Sequence, residues 1–427
     1  MNYEEVLNFM FNSLPMYQRI GQAAYKADLN NTMVLDEYFN HPHKHFKTIH
    51  IAGTNGKGSV SHSLASILQE AGYKTGLYTS PHLVDFRERI RVNGEMITEA
   101  YITDFINNNY EIIKNIEPSF FEMSVALTFE YFKFTGVDVA VIEVGMGGRL
   151  DSTNIITPDL SVITNIGLDH TQFLGDTLAK IAGEKAGIIK KEIPVVIGET
   201  HPETKNIFEE KACKLNSPIL FADDIYKAVK KDKERFLITG KDKKREFIYG
   251  LAGNYQVKNL PAILLAADKL KESGYHINND NIENGLANIV KNTGLRGRWE
   301  ELQREPLVIC DTGHNKEGLN YVIPAILSQE YKKLHIVLGF VNDKNINEVL
   351  KLFPTNAEYY FTQADIPRAM PVDKLYEEAK NYKLIGNIYS DVKNAYLAAL
   401  SNAQKDDMIF VGGSTFVVGD LLKEIEK

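Results

Sequence analysis

The chain has 427 residues, with 48 Lys or Arg against 56 Asp or Glu, and the resulting net charge of −8 argues against nucleic acid as a partner. This length exceeds what one hydrophobic core usually organises, so two domains are expected, and 44% hydrophobic with 24% charged residues excludes a disordered chain. No apolar run approaches the ~20 residues that span a bilayer, the amino terminus lacks a secretory pattern, and Cys213 and Cys310 lack metal-ligand spacing, so a reduced cytoplasmic setting without membrane partners is expected.

The first informative elements are adjacent. Phe46 to Ala52 (FKTIHIA) reads as a strand, and Ser61 to Ala71 (SHSLASILQEA) as a helix with apolar residues at Leu64, Ile67, Leu68 and Ala71. Between them lies GTNGKGS, Gly53 to Ser59. Its glycines let backbone N–H groups turn inward on an anion, Lys57 supplies a point charge, and Ser59 opens the helix, where the macrodipole also favours negative charge. The spacing is tighter than G-x-x-x-x-G-K-[ST], but strand, glycine turn and helix are the setting that a nucleoside triphosphate site requires.

Tyr78 to Leu83 (YTSPHL) ends a short apolar run, and Ser80 there is either a metal-binding hydroxyl or part of a serine-proline turn. Arg87, Arg89 and Arg91 share one face if that segment is extended, as an anion-binding face or an edge strand. Val137 to Val144, Leu160 to Ile166 and Pro194 to Ile197 are β-branched runs suited to a parallel sheet buried on both faces. Tyr226 to Tyr249 is lysine-rich and reads as a solvated hairpin or small sheet, in preference to a nucleic-acid patch. A second series follows Arg296-Gly297-Arg298-Trp299, at Leu307 to Asp311, Leu334 to Phe340, Ala357 to Thr362 and Met408 to Gly412. The expected class is α/β: a phosphate-loop domain with a mostly parallel sheet over residues 1–295, then a smaller Rossmann-like domain over 296–427.

Ligands of open parallel sheets bind outside the carboxyl ends of the strands. Glu143 and His170 both follow apolar runs there, and a carboxylate with an imidazole can hold a divalent cation against a triphosphate. Taken alone, His170 reads equally well as a hydrogen-bonded structural histidine.

The set HIAGTNGKGS, YTSPHL, EVGMGGRLDSTN, GLDHTQFLG, EKAGI, LRGRWE and DTGHN resembles folylpolyglutamate synthase and dihydrofolate synthase, the folate branch of the ATP-dependent Mur ligases, in that family's order from about residue 50 to 315. The resemblance implies that Thr54, Asn55, Gly56, Lys57, Gly58 and Ser59 hold the ATP phosphates. It implies that Ser80, Glu143 and His170 ligate magnesium, and that Lys185 is the family's carbamylated lysine, an anion able to ligate a second ion. Asn259 matches an adenine-side contact, with Asn254 as an alternative match; Arg298 and Asp311 match the second domain's contributions to ATP, with His314 nearby. Lys57, Lys185, His170 and His314 are thus the residues expected to carry the chemistry.

The same resemblance places Asp151 as the pterin-side anchor, with Phe120, Phe121 and Glu122 on the folate side; core packing is the plain alternative for the two rings. The GGRLDSTN stretch is similar to the form in bifunctional members, so glutamate addition to both dihydropteroate and reduced folates is expected, by a monomer. Gly313 and Lys316 depart from the usual alanine and proline, and Ala27 to Thr32 from the usual run near the pterin site. A muramyl-type ligase would carry a further domain ahead of the loop, where only about 50 residues stand. A non-catalytic nucleotide-gated protein would not need the whole set of lysine, metal and second-domain residues.

Overall fold

The computed structural model describes residues 1–15, 28–240, 244–342 and 346–426. Ala27, at the edge of the departing segment, and residues 241–243 of the lysine-rich segment lie outside the described residues. The chain divides into two compact units. The first holds residues 1–82, 87–250 and 256–295, and the second holds 83–86, 251–255 and 296–427.

The first unit is built on an eight-stranded sheet of β1 (Lys47–Ala52), β2 (Thr75–Tyr78), β3 (Ile90–Val92), β4 (Glu95–Met96), β5 (Val139–Glu143), β6 (Leu160–Ile163), β7 (Val195–Ile197) and β8 (Ile219–Phe221). Their order is β4-β3-β2-β5-β1-β6-β7-β8, and β2 through β8 run parallel, with β3 and β4 added antiparallel at one edge. β5 is buried at every position, as a strand covered on both faces must be. The chain leaves β1 toward β2 on one side and leaves β6 toward β7 on the other. The β1/β6 boundary is therefore the switch point where ligands of such sheets bind.

Helix Lys57–Glu70 follows β1, and every residue from Ser59 to Leu68 is buried. The expected apolar stripe is present, but the opposite face is buried as well and consists of hydrogen-bonded polar groups. His62 Nδ1 meets Thr293 Oγ1 at 2.8 Å, Ser63 Oγ meets the Tyr249 hydroxyl at 2.8 Å, and Ser66 Oγ donates to the Gly285 carbonyl at 2.6 Å. Gly285 permits that close approach, because a Cβ there would lie 2.7 Å from Ile67 Cα. The lysine-rich segment forms a separate antiparallel sheet of β9 (Lys227–Lys230), β10 (Arg235–Thr239) and β11 (Lys244–Ile248).

The second unit carries β12 (Glu300–Arg304), β13 (Leu307–Asp311), β14 (Leu334–Leu338), β15 (Glu358–Phe361), β16 (Gly386–Ile388) and β17 (Met408–Gly412), in the order β12-β13-β17-β14-β15-β16. All pairings are parallel except β12 with β13. The expected α/β class, with a mostly parallel sheet early and a separate sheet late, is what the chain adopts. The arginine segment is extended only at its end: Phe86–Arg89 is a 3-10 turn, whereas Arg91 lies on β3 of the antiparallel edge, so the edge-strand reading holds for Arg91 alone. Arg87 pairs with Glu99 at 3.0 Å, Arg89 Nε donates to His82 Nδ1 at 2.8 Å, and Arg91 Nη1 donates to the Gly94 carbonyl at 2.8 Å.

Candidate functional site

The turn after β1 is held by the segment after β6. Thr54 N donates to the Asn165 carbonyl at 3.0 Å, Asn55 N to Asn165 Oδ1 at 2.9 Å, and Thr164 Oγ1 to the Asn55 carbonyl at 2.6 Å. Gly53 has φ +151°, and a Cβ there would fall 1.8 Å from Thr164 Oγ1, so only glycine fits. Gly56, at φ +87°, lets Asn259 approach: a Cβ would lie 2.3 Å from Asn259 Oδ1. Asn259 Nδ2 in turn donates to Gln256 Oε1 at 2.7 Å, and Gln256 Nε2 to Ser59 Oγ at 3.2 Å. With Gly56 as the residue before the helix, no side chain caps its first N–H groups, which leaves that end suited to an anion.

Two lysines converge on this turn. Lys57 Nζ donates to the carbonyls of Gly53 at 3.1 Å and Thr54 at 3.3 Å, and Lys185 Nζ donates to the same Gly53 carbonyl at 2.9 Å. Lys185 is 4% exposed. Burial, and then the charge of Lys57, bring its pKa down to about 7. Two amines on one carbonyl beside a helix start with a glycine before it concentrate positive charge at the turn.

The parallel register sets the rest of the site along one sheet edge. Ser80 follows β2, Glu143 is the last residue of β5 and is paired in register with Ile51, and His170 lies on the segment after β6. Glu143 is buried. His170 is in the left-handed region at φ 51°, and its N–H donates to Asp169 Oδ1 at 2.9 Å. A hydroxyl and a carboxylate are hard oxygen donors suited to magnesium or manganese, whereas an imidazole is the less usual ligand for such ions. Among the described residues no group of three or more His, Cys, Asp or Glu side chains is gathered to hold a metal.

Beyond β5, Asp151 accepts from Met146 N at 2.9 Å, Thr153 N at 3.0 Å and Thr153 Oγ1 at 2.5 Å. Burial raises its pKa and these bonds oppose the rise. Thr153 Oγ1 also meets His50 Nε2 at 2.9 Å, and burial takes the His50 pKa down to about 3, so that ring is neutral. Phe121 lies against Gly145, where a Cβ would be 2.4 Å from Phe121 Cζ. Phe120 is buried, stacks on Phe11 with centroids 5.3 Å apart, and sits 5.2 Å below the Arg89 guanidinium. Glu122 closes a capping box at the start of helix Phe120–Thr135: Ser119 N donates to Glu122 Oε2 at 2.6 Å, and Glu122 N to Ser119 Oγ at 3.2 Å.

In the second unit, Asp311 ends β13 and is 2% exposed. It accepts from the Tyr255 hydroxyl, Trp299 N and Gly313 N, each at 2.7 Å, while burial raises its pKa. Arg298 Nη1 donates to the Gly297 carbonyl at 3.3 Å and to Thr312 Oγ1, and His314 Nδ1 meets the Thr312 carbonyl at 3.0 Å. Gly313 at its departing position supplies one of the Asp311 bonds, and Lys316 pairs with Glu348 at 3.0 Å.

Family models match on both units: the Mur ligase middle domain over residues 51–267 and the Mur ligase, glutamate ligase domain over residues 297–415. The chain belongs to the Mur ligase family. A dihydrofolate synthase/folylpolyglutamate synthase of Bacillus subtilis (strain 168) is 33% identical over 422 residues, covering 94% of this chain and 95% of that protein. E. coli FolC in complex with DHPP and ADP superposes with a TM-score of 0.86 at 27% identity, over 100% of this chain and 98% of that one. A bifunctional folylpolyglutamate synthase/dihydrofolate synthase with Mn, AMPPNP and L-glutamate bound gives 0.85 at 27% identity, with the same coverage. Within this Mur ligase, the contacts that sequence reading missed are Thr164, Asn165 and Gln256, which fix the turn from outside it. The signal for the first two was that they are polar members of the Leu160 to Ile166 run, just past the end of the strand at Ile163.

Proposed function

We propose that the chain is an ATP-dependent, ADP-forming ligase that adds L-glutamate to dihydropteroate and to the glutamate tail of reduced folates. The observation that carries the reading is the pair Lys57 and Lys185 on the Gly53 carbonyl, beside an uncapped helix start, in a chain of this family. A carboxylate is a poor electrophile. Its oxygen attacks the γ-phosphorus of ATP, ADP leaves, and an acyl phosphate forms; the glutamate amine then adds to the carbonyl, loses a proton and expels phosphate, leaving an amide. No protein nucleophile is needed, so the chain positions the reactants and neutralises developing charge, with the turn's N–H groups and Lys57 on the phosphates.

Ser80, Glu143 and His170 are the proposed holders of a divalent ion, which when bound neutralises phosphate oxygens. A pKa near 7 leaves much of Lys185 as free amine at neutral pH, the form that adds carbon dioxide and releases a proton to become a carbamate. This, with the family resemblance, supports carbamylation there. Asp151 and Phe121 are assigned to the acceptor, with Phe120 and Glu122 fixing the helix start that presents Phe121. Asn259, Arg298, Asp311 and His314 are assigned to the nucleotide on family resemblance. We place the activity in the cytoplasm, where ATP is available and free thiols such as Cys213 and Cys310 persist; no helix among the described residues is long and apolar enough to cross a membrane. Replacing Lys57 with Ala is expected to abolish folate-dependent ADP release; release near the wild-type rate would remove the phosphates from this turn.

A further inference from the structure

The small sheet has one inward residue of the wrong type. β10 and β11 pair with Ile238 opposite Arg245 and Phe236 opposite Phe247, so strand alternation puts all four on one face. The three apolar members are buried. Arg245 is half-buried at the rim of that face, and among the described residues its guanidinium makes no ion pair or hydrogen bond, so it is available to an anion there.

This face borders a cavity of about 340 Å³, within the range of small-molecule sites, walled by Ile238, Phe247, Leu264 and Ile282. Asp268 and Tyr226 also line it, and the Tyr226 hydroxyl donates to Asp268 Oδ2. Burial, then that bond, push the Tyr226 pKa upward, so the hydroxyl stays a donor. Arg245 and Asp268 thus face one cavity as a cation and an anion that are not paired with each other.

We infer that this cavity binds an α-amino acid with an apolar side chain, its carboxylate on Arg245, its ammonium on Asp268 and its side chain between the aliphatic and aromatic walls. A simple carboxylic acid would leave Asp268 facing an unanswered negative charge, and a simple amine would leave Arg245 unmet. Glutamate is disfavoured, because its second carboxylate would be buried among apolar groups. The site lies on helix Gln256–Glu272, beyond Asn259 and away from the phosphate turn.

The test is calorimetric titration of the full chain with L-leucine or L-phenylalanine in the presence of saturating ATP, magnesium and L-glutamate, so that the ligase site is filled. One equivalent of leucine is expected to bind, with 4-methylpentanoate and 3-methylbutylamine each at least about tenfold weaker. Arg245→Gln and Asp268→Asn, at positions that are not core-packed, are each expected to weaken leucine binding by at least about tenfold while keeping the wild-type unfolding midpoint. The inference is overturned by no leucine binding to the wild type, by equal binding of leucine and 4-methylpentanoate, or by unchanged leucine affinity in Arg245→Gln.

Discussion

Lys185 shows how one buried side chain ties stability to pH. Its amine is buried against the Gly53 carbonyl, and its pKa falls from 10.5 to about 7, first through lost hydration and then through the nearby Lys57 charge. Between those two values the unfolded chain binds the proton that the folded chain has released, so stability rises with pH across that window, at most about 1.4 kcal/mol per pH unit. Lys185→Met has no such group. In carbon dioxide-free buffer the variant's stability relative to wild type is therefore expected to be more favourable at pH 7 than at pH 9, measured by chemical unfolding at both. A difference independent of pH would mean that the folded lysine keeps its ordinary pKa.

At the scale of elements, the site is assembled by starts and ends of helices and strands. Ser119 and Glu122 satisfy each other's backbone N–H at the head of helix Phe120–Thr135, which sets Phe121 against Gly145. Ser119→Ala is expected to cost the first unit about 1 kcal/mol, read as a lower denaturation midpoint; an unchanged midpoint would mean the cap is not what holds that end. The S-x-x-E spacing that carries this cap is visible in the sequence. So are the strand, glycine turn and helix around Lys57, because all their determinants lie within neighbouring residues. The latch of Thr164 and Asn165 is not visible in the same way, since it depends on β1 pairing with β6 more than 100 residues away. The shared face that an extended segment would give Arg87, Arg89 and Arg91 does not form: Phe86–Arg89 is a 3-10 turn, and Arg89 contacts His82 and Phe120, partners distant enough that local alternation carries no sign of them.

Across the whole molecule, the long β-branched runs announce the buried strands of both sheets, because strands covered on two faces are near-continuously apolar, broken here only at positions such as His50 and Glu143. Short or polar edge strands such as β4 and β12 carry no such pattern and are found only once their partners are in place. Strand order is likewise a property of the assembled sheet, and it is the order β2-β5-β1-β6 that brings the carboxyl ends carrying Ser80, Glu143, the glycine turn and the His170 segment to one edge. The central claim, that this edge serves glutamate ligation to a folate carboxylate, is tested most directly by offering the purified protein ATP, magnesium and labelled glutamate with dihydropteroate or tetrahydrofolate in separate reactions. ATP-dependent incorporation is predicted with both acceptors. Incorporation with tetrahydrofolate alone would contradict the dual specificity, and incorporation with neither would contradict the assigned activity.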